Sequence, residues 1–284
     1  MAVEVGFLYD KVRWEEKALI NEFKSRGIKL KLINLTDTVM PISEEDPFGV
    51  DVYLQRSVSL FKGLYSTAIV EKAYGKIVVN DFSSSLICGN KLLTSLALLT
   101  AGVPQPRTVI SFSEVSALTA SELVGYPAVL KPIHGSWGRL VALLTDPLSG
   151  KSVIESRSFL HPIHHVYYVQ EMVRRPPRDI RAFVIGDEVV AAIYRIAPKD
   201  DWRTNTGIGG RTELCKITEE IEEMSLKAAR AVGGELVGVD LMESPEGLLV
   251  HEVNHVMEFR NTVPTTGVPI HKLVVDYLLR KALR

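Results

Sequence analysis

Three oxygen-bearing side chains in the last third of the chain are spaced so that they could bind a divalent cation. Glu252 and Asn254 are two residues apart in an apolar segment, so on a β-strand both side chains point to the same face. A hairpin turn at 244–247 would bring Asp240 within one residue of Glu252. Carboxylates are costly to bury unpaired, and such oxygen ligands favour Mg²⁺ or Mn²⁺ over Zn²⁺. The spacing predicts a magnesium site, and an exposed polar strand face is the alternative.

Two lysines in apolar surroundings are candidates for binding nucleotide phosphates, which usually complete the coordination of Mg²⁺. Neither a G-x-x-x-x-G-K-[ST] run nor a G-x-G-x-x-G turn is present. Lys91 lies at a predicted helix start, and Lys131 ends a predicted strand. The loop 134–139 follows, and its backbone N–H groups together with Arg139 could close over phosphates. Solvated surface lysines are the alternative interpretation.

Further polar groups lie near these candidates in sequence. Arg181, Arg195, Arg203 and Asn205 could offset phosphate charge, and the strand end at 170–173 could offer backbone groups to an adenine ring. Solvated loop positions would show the same residue types. The chain therefore predicts a nucleotide site without one of the common phosphate-binding motifs.

Composition excludes several classes of protein. The 284 residues are 46% hydrophobic and 24% charged, and 33 basic residues nearly balance 34 acidic ones. This balance gives no broad electrostatic surface for nucleic acid or an anionic membrane. Cys88 and Cys215 lack the spacing of a zinc site or a disulfide framework, and no apolar run reaches the roughly 20 residues of a membrane span. A cytoplasmic protein is expected.

The elements that must position these residues fall into three predicted units. The first, 1–82, alternates strands and helices (3–9, 14–26, 28–35, 51–55, 59–74 and 77–80), which indicates a small parallel-sheet α/β domain. The second, 83–175, opens with a helical pattern over 83–101 and continues with the elements 108–112, 113–124, 126–131, 140–145, 152–159 and 166–173. The third, 176–284, contains strands 180–185 and 189–196, helix 219–232 and the hairpin 236–254.

The ordered set of candidate residues resembles the ATP-grasp ligases over nearly the whole chain, and it is most similar to their RimK-like branch. The most specific parts of the resemblance are the runs 130–139, 205–210 and 252–261. The resemblance implies an ATP-grasp fold, in which an N-terminal parallel-sheet domain precedes two α+β subdomains that clamp ATP. This agrees with the three predicted units.

The resemblance also implies a role for each matching residue. Lys91 and Lys131 would contact the phosphates, Glu171 and Val173 the adenine, and Asp179 the nucleoside. Arg195 and Asn205 would stabilise charge during acyl transfer. The nucleotide would also lie beside Gly135, Ser136, Trp137, Gly138, Arg139, Arg181 and Thr206. Two Mg²⁺ ions would bind Asp240, Glu252 and Asn254. The amino-acid substrate would lie near Arg195 and the run Glu258, Phe259, Arg260, Asn261 and Thr262.

Within this branch, the chain is most similar to ligases that join α-aminoadipate to the C-terminal glutamate of the amino-group carrier protein LysW, in lysine biosynthesis. Asn261-Thr262 favours aminoadipate, because sister enzymes that use glutamate have Gly-Phe there. Ile208 departs from the pattern, because a bacterial enzyme that uses aminoadipate has an arginine at this position. The alternatives are a glutamate–LysW ligase of arginine biosynthesis, a ligase of a free small acid, and a regulatory module without turnover. A homo-oligomer is expected, and Arg174, Arg175 and Arg178 are candidates for docking an acidic carrier.

Overall fold

The computed structural model describes residues 3–135, 137–204 and 209–283. Its first sheet is parallel with the strand order β2-β1-β3-β4, which confirms the predicted N-terminal α/β unit. Its elements are β1 (Glu4–Tyr9), α1 (Trp14–Ser25), β2 (Lys29–Asn34), β3 (Val52–Gln55), α2 (Leu60–Lys72) and β4 (Ile77–Val79). Because the chain leaves β1 and β3 in opposite directions across the sheet, a crevice opens at the carboxyl ends of these two strands.

Two helices, not the single predicted helix over 83–101, follow the first sheet. α3 (Phe82–Cys88) and α4 (Lys91–Thr100) meet at an angle of 105°. The break lies at Gly89 and Asn90, where the Asn90 side chain accepts hydrogen bonds from the backbone N–H groups of Leu92 and Leu93. An N-cap of this kind starts a new helix, and here it makes Lys91 the first residue of α4.

A second sheet, all antiparallel, has the order β5-β8-β6-β7. Its elements are β5 (Thr108–Ser111), α5 (Glu114–Val124), β6 (Ala128–Lys131), β7 (Ala142–Leu144), α6 (Pro147–Ser158) and β8 (Tyr167–Glu171). Ser113, the first residue of the predicted range 113–124, is the N-cap of α5. The prediction placed the start of α6 at 152, five residues late, because Asp146 caps the helix and Pro147 occupies its first turn.

The third sheet, also antiparallel, has the order β11-β10-β9-β12-β13. Its elements, with the helices that pack on it, are β9 (Arg178–Ile185), β10 (Glu188–Ile196), β11 (Arg211–Leu214), α7 (Glu219–Ala231), β12 (Leu236–Ser244), β13 (Gly247–Asn254), α8 (Thr262–Thr266) and α9 (Ile270–Ala282). The hairpin β12–β13 turns at the predicted residues. β11, α8 and α9 were not predicted.

The units share hydrophobic cores. Phe7 of β1 packs in one cluster with Phe183 of β9 and Leu278 of α9, so the first sheet and the third are held together. Leu98 of α4 and Val103 pack in a second cluster with the third sheet and α7. The predicted boundary at 83 assigns α4 to the central unit, whereas its apolar side chains lie on the C-terminal sheet.

Among the described helices, none alone is long and apolar enough to cross a membrane; α3 and α4, taken together as a bent pair, meet that test of length and composition.

Candidate active site

The predicted metal-binding residues lie together on the hairpin of the third sheet. Asp240 pairs with Glu252, within one residue of the predicted register, and a bulge follows this pair. Asn254 lies opposite Gly238, and its buried Nδ2 atom has no hydrogen-bond partner in the described part of the chain. Among the described residues, no three Asp, Glu, His or Cys side chains lie close enough together to bind one metal ion. A metal site at Asp240 and Glu252 therefore needs the Asn254 amide as its third ligand. Two carboxylates and one amide are suitable ligands for Mg²⁺.

Arginine and lysine side chains neutralise both carboxylates. Asp240 accepts hydrogen bonds from Arg181 at 2.6 and 2.7 Å and from Arg195 at 2.8 Å. Glu252 accepts one from Lys91 Nζ at 3.0 Å. Burial alone would raise the pKa of Glu252, but the nearby positive charges, Lys91 foremost, lower it to about 2. Glu252 is therefore ionised at neutral pH and can exchange Lys91 for a cation.

Arg195 is held between two buried aspartates. Its guanidinium donates to both carboxylate oxygens of Asp179 at 2.7 and 2.6 Å, and only 4% of the residue is exposed. Burial works to raise the pKa of Asp179, yet the Arg195 charge holds it well below its usual range. Thr204 donates a further hydrogen bond to the same carboxylate. Arg195 is thus a fixed positive charge, as a group that stabilises developing anions must be.

Lys131 ends β6 in a buried position where it meets the second sheet's polar network. Its Nζ lies 2.5 Å from Gln170 Oε1, and Gln170 Nε2 donates to Thr108 and Tyr168. Burial lowers the pKa of Lys131 to about 8. Lys91 Nζ donates to the backbone carbonyl of Gly135 at 3.0 Å. The two predicted phosphate-binding lysines therefore face one region, beside the loop that follows Lys131.

Two adjoining cavities meet at these residues. The inner cavity, about 80 Å³, lies between the second and third sheets, and the outer cavity, about 580 Å³, faces the first sheet. Both are lined by Lys91, Gly135, Trp137, Arg195 and Glu252. A group activated in the inner cavity would therefore be accessible to a second reactant in the outer one.

The inner cavity combines an apolar slot with charged groups. Val129, Met172, Val173 and Met242 supply the apolar walls, and the Val173 backbone N–H has no hydrogen-bond partner within the described residues. The predicted residues Lys131, Glu171, Asp179, Gly138 and Arg139 also line it. Ligand pockets usually measure roughly 300 to 1,000 Å³, so the inner cavity has to widen before a nucleotide can enter.

The loop after Lys131 closes this cavity. Trp137 and Leu140 adopt the left-handed region, with φ of 59° and 55°. The Trp137 indole N–H lies 3.2 Å from both carboxylate oxygens of Glu258, and Arg203 donates to the carbonyl of Gly138 at 3.1 Å. The predicted site residues Ser136, Asn205 and Thr206 lie outside the described residues, as does Ile208.

The outer cavity includes residues that sequence reasoning missed. Arg13 and Trp14 at the start of α1 and Ser57 and Val58 after β3 line it. They follow the carboxyl ends of β1 and β3, where the strand order reverses, and this position was the signal that could have identified them. Arg13 pairs with Glu16 at 3.0 Å and with Glu258.

The predicted substrate run divides into lining residues and a core residue. Glu258, Arg260, Asn261 and Thr262 line the outer cavity with Arg181 and Asn254. The Arg260 guanidinium has no ion-pair partner among the described residues, although the Arg260 backbone N–H donates to Glu15. Phe259 does not line the cavity. It is fully buried, 6.0 Å from the Trp14 ring, and anchors the run in the core.

Two α+β units that enclose paired lysines beside two carboxylates and an amide are the arrangement of an ATP-grasp enzyme, an ATP-dependent carboxylate–amine ligase. Residues 88–278 match the RimK-like ATP-grasp domain, and residues 5–85 match the LysX preATP-grasp domain. The chain therefore belongs to the RimK-like ATP-grasp family.

Two LysW ligases match nearly the whole chain. The alpha-aminoadipate--LysW ligase LysX of Sulfolobus acidocaldarius is 38% identical over 95% of this chain and 98% of its own length. The glutamate--LysW ligase ArgX of the same organism is 33% identical over 99% and 100%. A crystal structure of a RimK domain ATP-grasp protein from Sphaerobacter thermophilus has a TM-score of 0.80 at 22% identity, covering 98% and 100% of the two chains, and shows the same fold.

Proposed function

We propose that the protein joins the α-amino group of α-aminoadipate to the side-chain carboxylate of the C-terminal glutamate of LysW, as part of lysine biosynthesis. The observation that carries this proposal is the position of Asn261-Thr262 on the wall of the outer cavity. The family resemblance implies Gly-Phe at this position in the enzymes that use glutamate. The higher identity to the LysX enzyme than to the ArgX enzyme of one organism supports it.

ATP would enter the inner cavity. Its adenine would lie in the slot beside Val173 and Glu171, and its phosphates would extend toward Lys131 and Lys91. Glu171 Oε1 accepts a hydrogen bond from the Arg107 backbone N–H at 2.7 Å, and the Glu171 backbone N–H donates to the Arg107 carbonyl at 3.0 Å. The Val173 N–H, unpartnered among the described residues, would therefore be the backbone donor for the base. Asn205, Thr206 and Ser136 complete the proposed nucleotide contacts. The phosphate charge would replace Glu252 as the partner of Lys91.

The proposed Mg²⁺ ligands are Asp240, Glu252 and Asn254, with two ions expected. When bound, Mg²⁺ would neutralise the charge of the transferring phosphoryl group. The chain's own cations act beside it. Arg195 stays fixed by Asp179, so its guanidinium is oriented before the reaction begins and pays no reorganisation cost.

The proposed reaction proceeds in two steps. A carboxylate oxygen of the carrier's terminal glutamate attacks the γ-phosphorus of ATP; the bond to the bridging oxygen breaks, and ADP leaves. The neutral amine of aminoadipate then attacks the acyl carbon, phosphate departs with the electron pair of the C–O bond, and the amine loses a proton. Arg195 and Asn205 would stabilise the charge on the acyl phosphate. Trp137 and its loop would exclude water from the intermediate.

The outer cavity fits a dicarboxylic amino acid. The Arg260 guanidinium, which has no ion-pair partner among the described residues, would bind a substrate carboxylate. Glu258 would bind the substrate amino group in place of Arg13 and Trp137, which contact it now. Thr262 would set the length of the bound side chain, because it is smaller than the phenylalanine of the glutamate enzymes and would leave room for one more methylene than glutamate has; Asn261 would lie beside it on the cavity wall. A pocket distinguishes two substrates that differ by one methylene by roughly 10- to 200-fold.

The basic residues expected to dock the carrier are mostly engaged elsewhere. Arg178 donates to Glu243 at 2.7 and 2.8 Å, and its guanidinium lies 3.9 Å from the centre of the Tyr194 ring. Arg175 lines the inner cavity. Arg174 alone of the three is exposed. The carrier's C-terminal glutamate would have to reach the junction of the two cavities, where its carboxylate could meet the γ-phosphate. A homo-oligomeric enzyme that works in the cytoplasm is also part of the proposal.

The carrier requirement can be tested with purified components. Release of ADP should require a LysW-type carrier that ends in glutamate, and hydroxylamine added without an amino acid should trap the carrier as its hydroxamate. A matched carrier that ends in glutamine should give neither product. Carrier-independent ADP release with a free acid would move the protein to the small-acid ligases. If the activated carrier reacts with glutamate and not with α-aminoadipate, the protein would belong to the arginine branch.

A further inference from the structure

Arg13 lies on the wall of the outer cavity, where the start of α1 meets the run that carries Glu258. Its Nη1 atom donates a hydrogen bond to Glu258 Oε1. Its Nε and Nη2 atoms donate to Glu16 at 3.0 and 3.1 Å, and its side chain is 23% exposed. One edge of the guanidinium is therefore bound inside the protein, and the other edge binds a residue of the cavity wall.

A buried carboxylate fixes this orientation of Arg13. Glu16 is completely buried, and Arg56, which is itself 4% exposed, donates to Glu16 Oε1 at 2.9 and 3.2 Å. Arg56 also donates to the Met257 carbonyl at 3.0 Å. Burial acts to raise the pKa of Glu16, but Arg56 and Arg13 hold that pKa below its ordinary value, so the carboxylate stays charged. Arg13 can therefore keep its position when Glu258 binds another group.

The charges of this cluster balance only while Glu258 pairs with Arg13. Arg13 and Arg56 contribute two positive charges, and Glu16 and Glu258 contribute two negative ones. If the substrate amino group takes Glu258, as proposed above, Arg13 loses one of its two carboxylate partners. A partly buried cation that loses its partner destabilises the complex, so a carboxylate that enters with the amino group would restore the balance.

An α-amino acid carries both of these groups on one carbon atom. Its amino group and its α-carboxylate can therefore enter together between Arg13 and Glu258, which now contact each other. A guanidinium group binds a carboxylate through two parallel N–H groups. Arg260 is next to Asn261 and Thr262 in the chain, so it is suited to the carboxylate at the far end of the substrate side chain.

We propose that Arg13 binds the α-carboxylate of the amino-acid substrate, whose charged head group replaces the ion pair between Arg13 and Glu258. The inference rests on the amino-acid site of the proposed function and assigns each substrate carboxylate to its own arginine, the second being Arg260. Glu16 and Arg56 are positioning residues, because they hold Arg13 without contacting the substrate. An amino acid that lacks the α-carboxylate would open the ion pair without replacing it.

Substrate analogues that each lack one carboxylate test the assignment. The full-length protein, ATP, Mg²⁺ and a LysW-type carrier ending in glutamate would be combined with α-aminoadipate, its 1-amide or its side-chain amide, and kcat/KM measured from the carrier mass. The wild type should use the 1-amide at least about tenfold less well than aminoadipate, the effect of one hydrogen bond to a charged group. In Arg13→Gln this ratio should fall below about threefold, whereas the ratio for the side-chain amide should not change. Arg260→Gln should show the reverse pattern.

Arg26→Gln is the matched control, because it removes an arginine from the other end of α1, where Arg26 pairs with Glu22 and Asp276 and does not line the cavity. It should discriminate as the wild type does. Arg13→Lys, which keeps the charge, should retain part of the discrimination against the 1-amide. Formation of the carrier hydroxamate without amino acid should be unchanged in Arg13→Gln, because only the second step requires the amino-acid site.

Equal use of aminoadipate and its 1-amide by the wild type would overturn the proposal, as would undiminished discrimination against the 1-amide in Arg13→Gln. An Arg13→Gln enzyme that loses discrimination against the side-chain amide instead would contradict the assignment of the two carboxylates. Loss of hydroxamate formation in that variant would also overturn it, because Arg13 would then serve the fold or the first step. A wild-type protein that forms no hydroxamate would instead contradict the proposed function itself.

Discussion

Raising the pH from 7 to 9 should weaken ATP binding through a single buried group, Lys131. Burial lowers the pKa of this lysine to about 8, because its surroundings are the walls of the inner cavity and only 9% of the residue is exposed. The lysine is then about nine-tenths charged at pH 7 and about one-tenth charged at pH 9. Phosphates bind the charged form, so the dissociation constant of ATP should rise about tenfold over this range.

The lowered pKa of Lys131 affects the stability of the free protein in the opposite direction: as the pH rises, ATP binding weakens but the free energy of unfolding increases. The unfolded lysine titrates near its ordinary pKa of 10.5, so between pH 8 and 10.5 the unfolded chain binds more protons than the native one. Stability rises with pH in that window, and this group alone contributes roughly 3 kcal/mol. A buried lysine that costs stability at neutral pH is expected where the charge is needed for binding.

Calorimetric titration with ATP and Mg²⁺ at pH 7, 8 and 9 measures the first effect. The terminal phosphate of ATP, with a pKa of about 6, stays ionised throughout, so it does not contribute. Lys131→Met is the control, and it should bind ATP weakly with little change across the range. The reasoning is refuted if the wild-type affinity is constant between pH 7 and 9, or if Lys131→Met shows the same loss as the wild type.

Three further substitutions test other parts of the site. Asp240→Asn should abolish ligation and lower the free energy of unfolding by about 3 kcal/mol, because Arg195 loses a buried partner; carrier mass and urea unfolding measure the two effects. Replacing Asn261 by Gly together with Thr262 by Phe should shift the ratio of kcat/KM about tenfold toward glutamate, as measured with both amino acids. Trp137→Phe removes the hydrogen bond to Glu258 and should raise ATP hydrolysis that is not coupled to ligation about fivefold, as measured by ADP released per carrier modified.

Each of these variants can contradict the account. An Asp240→Asn enzyme that still modifies the carrier would exclude Asp240 from the metal site. An unchanged preference for aminoadipate over glutamate in the Gly-Phe variant would mean that other residues determine the length of the bound side chain. Tight coupling in Trp137→Phe would show that the loop does not protect the intermediate.

The local patterns in the sequence predicted most of the architecture. The hairpin β12–β13 was predictable because Pro245 and Gly247 specify its turn and the flanking strands are strongly apolar. The β-bulge at His251 was not predictable, because no residue in the segment 247–254 signals that the strand contains an extra, unpaired residue. The break between α3 and α4 was missed because the helical spacing of apolar residues continues on both sides of Gly89 and Asn90. The Asn90 side chain caps α4 and so starts a new helix there.

Long-range partners in the site were beyond reach from sequence. Lys91 and Glu252 are 161 residues apart, and only the packing of α4 on the third sheet brings them together. Arg195 could be singled out as a charged residue, but its fixation by Asp179 and Asp240 depends on the register of three strands. Arg13 was not among the predicted site residues, because the cavity it lines forms between units that are distant in sequence.

The mass of the intact carrier tests the central claim most directly. The pure protein would be incubated with ATP, Mg²⁺, a LysW-type carrier ending in glutamate, and either α-aminoadipate or glutamate, and the carrier then weighed by mass spectrometry. A gain of one aminoadipate residue, absent with glutamate, is the predicted result. A gain with glutamate alone would contradict the assigned substrate, and no gain with either amino acid would contradict carrier-dependent ligation altogether.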